Sequence, residues 1–117
     1  MRIPILAATA LLAVFAAHAA SAHAFLDHAE PRVGSTVASA PKEVVLTYTQ
    51  KLEPAFSSVE VSDAKGARVD QGKPRVTATT MRIGLKPLPP GTYRVRWHVL
   101  SVDTHTTEGN FTFQVEK

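Results

Sequence analysis

The sequence predicts an all-β fold: a Greek-key β-sandwich or barrel of about seven short strands, immunoglobulin-like and without a disulfide. Three observations predict it. Apolar and polar side chains alternate through Tyr93–Val99 and Phe111–Val115, the period of a half-buried strand. Eight Pro and six Gly punctuate the chain, and no window carries the i, i+3, i+4 stripe of a helix. There is no Cys, so packing alone must hold the core. The same absence excludes zinc ribbons, iron–sulfur centres and thiol catalysis.

The elements follow in order. Met1-Arg2 supplies a positive charge, Ile3 to Ala17 is uncharged and mostly apolar, and Ala20-Ser21-Ala22 is a small-x-small cleavage site. That order is a secretory signal peptide over residues 1–22, cut after Ala22 and sending the chain out of the cytoplasm. Its apolar stretch is shorter than the roughly 20 residues a membrane-spanning helix needs. Ala22-His23-Ala24 also fits small-x-small, and a cut there would remove His23. Residues 23–117 are expected to form one domain.

Within that domain, Val44 to Tyr48 is a β-branched apolar run. Val59-Glu60-Val61 alternates, and Asp63-Ala64-Lys65-Gly66 reads as a turn. Thr77 to Leu85 is Thr-rich with Met81, Ile83 and Leu85 on one side, and Lys86 to Gly91 breaks the chain. Tyr93, Val95, Trp97 and Val99 then face one way, and Arg94, Arg96 and His98 the other. Phe111, Phe113 and Val115 complete the expected core.

Charge excludes several function classes. Lys plus Arg is 13 against 10 for Asp plus Glu, a net +3 spread along strands without a basic run, which does not suit nucleic acid. There is no G-x-S-x-G, phosphate-cradling Gly loop or H-E-x-x-H. Ser101 precedes Asp103 and His105, but a nucleophile and base two to four residues apart in one loop rarely take triad geometry. The chain is not expected to be an enzyme.

Four histidines, His23, His28, His98 and His105, lie beyond the signal. His23 would open the mature chain and offer its free α-amine and its imidazole Nδ1 in one chelate. Both are borderline donors that suit Cu(II), which prefers tetragonal nitrogen and oxygen ligation. Asp103-Thr104-His105 places a carboxylate and an imidazole at i and i+2, on one side of an extended segment. Together His23, Asp103 and His105 offer three nitrogens and one oxygen, provided the N-terminus folds back beside the 101–109 loop. We expect one Cu(II) per chain. The odd spacing of His28 from His23 points it away, and His98 belongs to the outer Arg94/Arg96 face.

A resemblance emerges from these residues. His23-Ala24-Phe25-Leu26-Asp27-His28-Ala29-Glu30-Pro31 with Gly34-Ser35, the strand Val44 to Tyr48, Pro90-Gly91-Thr92-Tyr93 with Trp97, and Ser101-Val102-Asp103-Thr104-His105 with Gly109 resemble the CopC family of periplasmic copper-binding proteins. The resemblance covers essentially all of residues 23–117. It implies a seven-stranded Greek-key sandwich in the periplasm. It implies Cu(II) held by the amine and imidazole of His23 with Asp103 and His105. It also implies a carrier or buffer in copper resistance and homeostasis, in some relatives beside a CopD-type inner-membrane protein. A monomer is expected.

Two departures stand out. Some relatives carry a Met- and His-rich loop for Cu(I); here residues 63–74 have neither type and Met81 stands alone, so no Cu(I) site is expected. Where some relatives place a carboxylate near the Cu(II), this chain has Gln50, which brings no negative charge; Asp27 is a weaker outer candidate. Two other readings compete: a metal-free secreted sandwich for adhesion or chaperoning, and a small copper-dependent oxidase.

Overall fold

The computed structural model describes residues 24–117. Eight strands are described: β1 (Leu26–Glu30), β2 (Thr36–Val37), β3 (Glu43–Tyr48), β4 (Ser58–Asp63), β5 (Asp70–Thr77), β6 (Thr80–Leu85), β7 (Gly91–Leu100) and β8 (Thr106–Val115). They form two four-stranded sheets, ordered β1-β3-β6-β5 and β2-β8-β7-β4. All pairs are antiparallel except the two-residue β2, which runs parallel to β8. The predicted sandwich is therefore present, with one short strand more than the expected count. Among the described residues a single 3-10 turn, Pro54–Phe56, interrupts the β structure.

The alternation read in the sequence is the alternation that buries the core. In β3, Val44, Leu46 and Tyr48 point inward; in β6, Met81, Ile83 and Leu85 do so; in β7, Tyr93, Val95 and Val99; in β8, Phe111, Phe113 and Val115. Each such side chain stabilises the fold by about 1.5–3 kcal/mol when taken fully from water. Trp97 is half-buried against this core and meets Tyr48 edge-on, with ring centroids 5.2 Å apart at 71°. The pairing register sets Gly109 of β8 directly opposite Trp97. An ideal Cβ at Gly109 would lie 2.6 Å from Trp97 Cζ2, so the indole occupies the space a side chain would take. Across the Lys86–Gly91 break the Tyr93 hydroxyl donates to the Pro89 carbonyl, a tyrosine corner that ties the break to β7.

Two features go beyond the sequence pattern. The Thr-rich segment Thr77 to Leu85 divides into the end of β5, a turn and β6; Ala78 takes a left-handed φ of 54°. β5 escapes the sequence pattern because it is an edge strand, with Gly72, Lys73 and Pro74 in its middle and a register shift between Gln71 and Arg75. An edge position tolerates the missing amide of Pro74. An edge of the second sheet, β4, is covered by the chain that follows it. Val69 donates its amide to the Val61 carbonyl, and Val61 donates its own to Asp70 Oδ1 at 2.8 Å. Arg68 Nε and Nη2 grip both Asp70 oxygens at 2.8 and 2.9 Å.

One end of the sandwich holds the Asp103–His105 segment singled out in the sequence. There the chain leaves β7 at Leu100 and returns as β8 at Thr106, around a loop of residues 101–105. Residues 49–53, between β3 and the 3-10 turn, stitch this end together. Thr49 donates its amide to the Phe25 carbonyl, Leu52 to Ala78 and Glu53 to Leu100, and Lys51 accepts from Val102.

Candidate metal centre

The two loop ligands read in the sequence come together. Asp103 Oδ1 lies 3.4 Å from His105 Nδ1, and both side chains are part-exposed. They meet through a turn rather than the extended segment expected: Thr104 adopts a left-handed φ of 72°, and its amide donates to the Ser101 carbonyl at 2.9 Å. The Ser101 amide donates to the His105 carbonyl at 2.9 Å and closes the loop. The Ser101 hydroxyl donates to Asp103 Oδ1. That hydroxyl holds the Asp103 carboxyl below the usual carboxylate range; desolvation opposes it, and His105 adds to the lowering. The carboxylate is therefore charged wherever its surroundings are neutral, as a cation ligand needs to be.

His23 and the residues before it lie outside the described residues. Ala24, the first described residue, is fully buried. Its carbonyl accepts a 2.8 Å hydrogen bond from Thr107 Oγ1, two residues past His105. On the next residue, the Phe25 amide donates to Thr49 Oγ1 at 2.9 Å. Gln50 is half-buried between Thr49, bonded to Phe25, and Lys51, bonded to Val102. The residue marked by the sequence as a departure therefore sits in the strap between the chain entry and the loop.

The remaining histidines are placed elsewhere. His28 is exposed on β1, just past an irregularity in its pairing between Leu26 and His28, with Nε2 3.2 Å from Glu30 Oε2. His98 is exposed on the outer face of β7, opposite Ser58 on one side and Glu108 on the other. Asp27 is exposed in β1. Among the described residues no three His, Asp or Glu side chains gather around a common point, so Asp103 and His105 form a pair that needs further donors. Sequence reasoning missed the role of Ser101 within the loop and of Thr107 at the chain entry. A small hydroxyl residue at the buried end of a strand, two before an Asp, is the signal that points to the first.

The model of the CopC domain matches residues 26–116. The chain belongs to the CopC family. CopC relatives span nearly the same length. Copper resistance protein C of Xanthomonas campestris pv. juglandis is 35% identical over 113 residues, covering 89% of this chain and 88% of the relative. Among solved structures, CopC of Methylosinus trichosporium OB3b superposes with a TM-score of 0.75 at 33% identity, covering 80% of this chain and 94% of that one. PcoC, a methionine-rich copper resistance protein of Escherichia coli, superposes with a TM-score of 0.71 at 33% identity, covering 81% and 100%. The two CopC-type structures share the β-sandwich read from the sequence.

Proposed function

We propose that this CopC-family chain is an exported copper-resistance protein that carries or buffers one Cu(II), held by the amine and imidazole of His23 with Asp103 and His105. The observation that carries the reading is the tether of Ala24 to Thr107. A residue bonded to Ala24 has its Cα about 3.8 Å away. The tether brings the chain at Ala24 beside the strand that leaves the His105 loop, which supports a chelate completed from that side. The Asp103–His105 pair supplies an anionic oxygen and a nitrogen, and the terminal chelate supplies two more nitrogens. That is a Cu(II) set. The Met81 thioether is fully buried in the core, which agrees with a site built without sulfur for Cu(II) rather than Cu(I).

The mechanism is that of a carrier, not a catalyst. A hydrogen-bonded hairpin loop holds two donors in place, and the chain terminus completes the chelate and releases it. Acid empties the site, because the amine and the imidazoles must lose protons to bind metal. The setting is the periplasm, reached by cleavage after Ala22, and the working form is a monomer exchanging copper with an inner-membrane protein of the CopD type.

The test compares the mature protein beginning at His23 with a form carrying one extra residue before it. The added residue removes the amine from the chelate while leaving the Asp103–His105 loop intact. Competition titration with a Cu(II) chelator is expected to show one tight site in the first and a large loss of affinity in the second. Equal affinity in the two forms would overturn the reading.

A further inference from the structure

The loop that carries Asp103 and His105 is organised around a residue that does not reach the surface. Ser101 is 0% exposed. Its amide donates to the His105 carbonyl and its carbonyl accepts from Thr104, each at 2.9 Å. Its hydroxyl donates to Asp103 Oδ1 and also lies 3.2 Å from the His105 carbonyl oxygen. Asp103 Oδ1 in turn faces His105 Nδ1. One carboxylate oxygen thus meets both the buried hydroxyl and the ring.

We propose that Ser101 is a positioning residue for the copper site: its buried hydroxyl pins Asp103 Oδ1, and that pinned oxygen sets the His105 ring through Nδ1. This inference rests on the reading of Asp103 and His105 as copper ligands. A neutral imidazole carries one proton. With Nδ1–H turned toward the carboxylate, the lone pair is on Nε2, and the ring is held in the form that offers that nitrogen to a metal. The second oxygen, Oδ2, is left for the cation. Without the hydroxyl, the carboxylate regains rotation about two bonds and its contact with the ring is no longer fixed. Both would then have to be ordered when copper arrives, a cost that the hydroxyl removes in advance. The two backbone hydrogen bonds of Ser101 do not involve its side chain, so the turn itself survives removal of the hydroxyl.

The experiment uses the mature protein and Ser101→Ala, with Ser101→Cys as a variant of similar shape and weak donor strength. The first readout needs no copper. Long-range proton–nitrogen NMR at about pH 8, where ordinary imidazoles are neutral, is expected to show His105 as the Nδ1–H tautomer. In Ser101→Ala it is expected to shift toward the Nε2–H form that an unrestrained histidine prefers. The second readout is Cu(II) affinity by competition. It is expected to fall about tenfold to a hundredfold in Ser101→Ala with the copper-free thermal midpoint nearly unmoved, and Ser101→Cys is expected to fall in between. If Ser101→Ala fails to fold, the same two readouts on Ser101→Cys decide. A wild-type His105 already in the Nε2–H form, or a hydroxyl-free variant with wild-type tautomer and affinity, would overturn the proposal. Unchanged affinity in His105→Ala would instead sink the copper-site reading, while the copper-free tautomer measurement would still decide whether the hydroxyl sets the ring.

Discussion

Replacing Gly109 by Ala tests the packing that joins the two strands flanking the loop of residues 101–105. The added Cβ would lie 2.6 Å from Cζ2, 2.9 Å from Cε2 and 3.2 Å from Nε1 of Trp97. Carbon atoms attract best at about 3.5–4.0 Å, so the indole must retreat by about 1 Å. That retreat disturbs its edge-on contact with Tyr48, and an indole cannot bend aside as a lysine tip would. Overpacking of this kind costs about 1–3 kcal/mol. Ala also stiffens the unfolded chain, which offsets about 0.4–1 kcal/mol. The net expectation is a loss of roughly 1–2 kcal/mol, or a drop in Tm of about 5–12 °C for a domain of this size. Trp97 is the only tryptophan, so its fluorescence reports the same contact during urea unfolding. The midpoint should fall with little change in slope, and the emission of the folded state should shift. A Gly109→Ala protein as stable as the parent, with unaltered emission, would refute the argument that the indole fills this space.

Other outcomes follow from features of the same molecule. The Tyr48 hydroxyl is buried without a hydrogen-bond partner among the described residues, and burial pushes its pKa far up. Tyr48→Phe is therefore expected to be neutral or to stabilise by about 1 kcal/mol; a loss of more than that in chemical unfolding would mean the hydroxyl has a partner. The partial burial of Asp70 raises its pKa, but the Arg68 grip and the Val61 amide outweigh it, and the carboxyl ends below its ordinary value. A depressed folded-state pKa contributes stability above the unfolded pKa and loses it as pH falls through the folded value. Asp70→Asn should thus be less stable at neutral pH and show a flatter acid arm in a series of unfolding curves from pH 7 to pH 2. Asp103→Ala and His105→Ala should each weaken Cu(II) binding in competition titrations, whereas His98→Ala on the outer face should not. A loss of binding in His98→Ala would show that the outer face takes part.

The sequence made the inner strands legible because their side chains have only one arrangement that buries them. Val44, Leu46, Val95, Val99 and Phe113 repeat with period two, and a shift by one residue would turn each set outward. β5 was hidden because an edge strand with Gly72 and Pro74 needs neither alternation nor a full ladder. The break within Thr77–Leu85 was hidden because Ala78 takes a left-handed conformation that its residue type does not advertise. At the site, the Asp103–His105 pairing was legible from spacing, yet the spacing argument assumed extended backbone where there is a turn. The roles of Ser101 and Thr107 were not legible, because hydroxyls acquire partners only through tertiary contacts: Thr107 reaches back 83 residues to Ala24.

β8 starts beside the ligand loop and carries the chain to the opposite pole, where Val115 pairs with Val37 and Gly91. The two ends of the domain are thus unequal as handles. A surface attachment through Lys117 would leave the loop facing outward and unobstructed, like a cup held by its foot. An attachment through the other end would occupy the rim. Any immobilised or fused format meant to keep this loop accessible should therefore be joined at the carboxyl side.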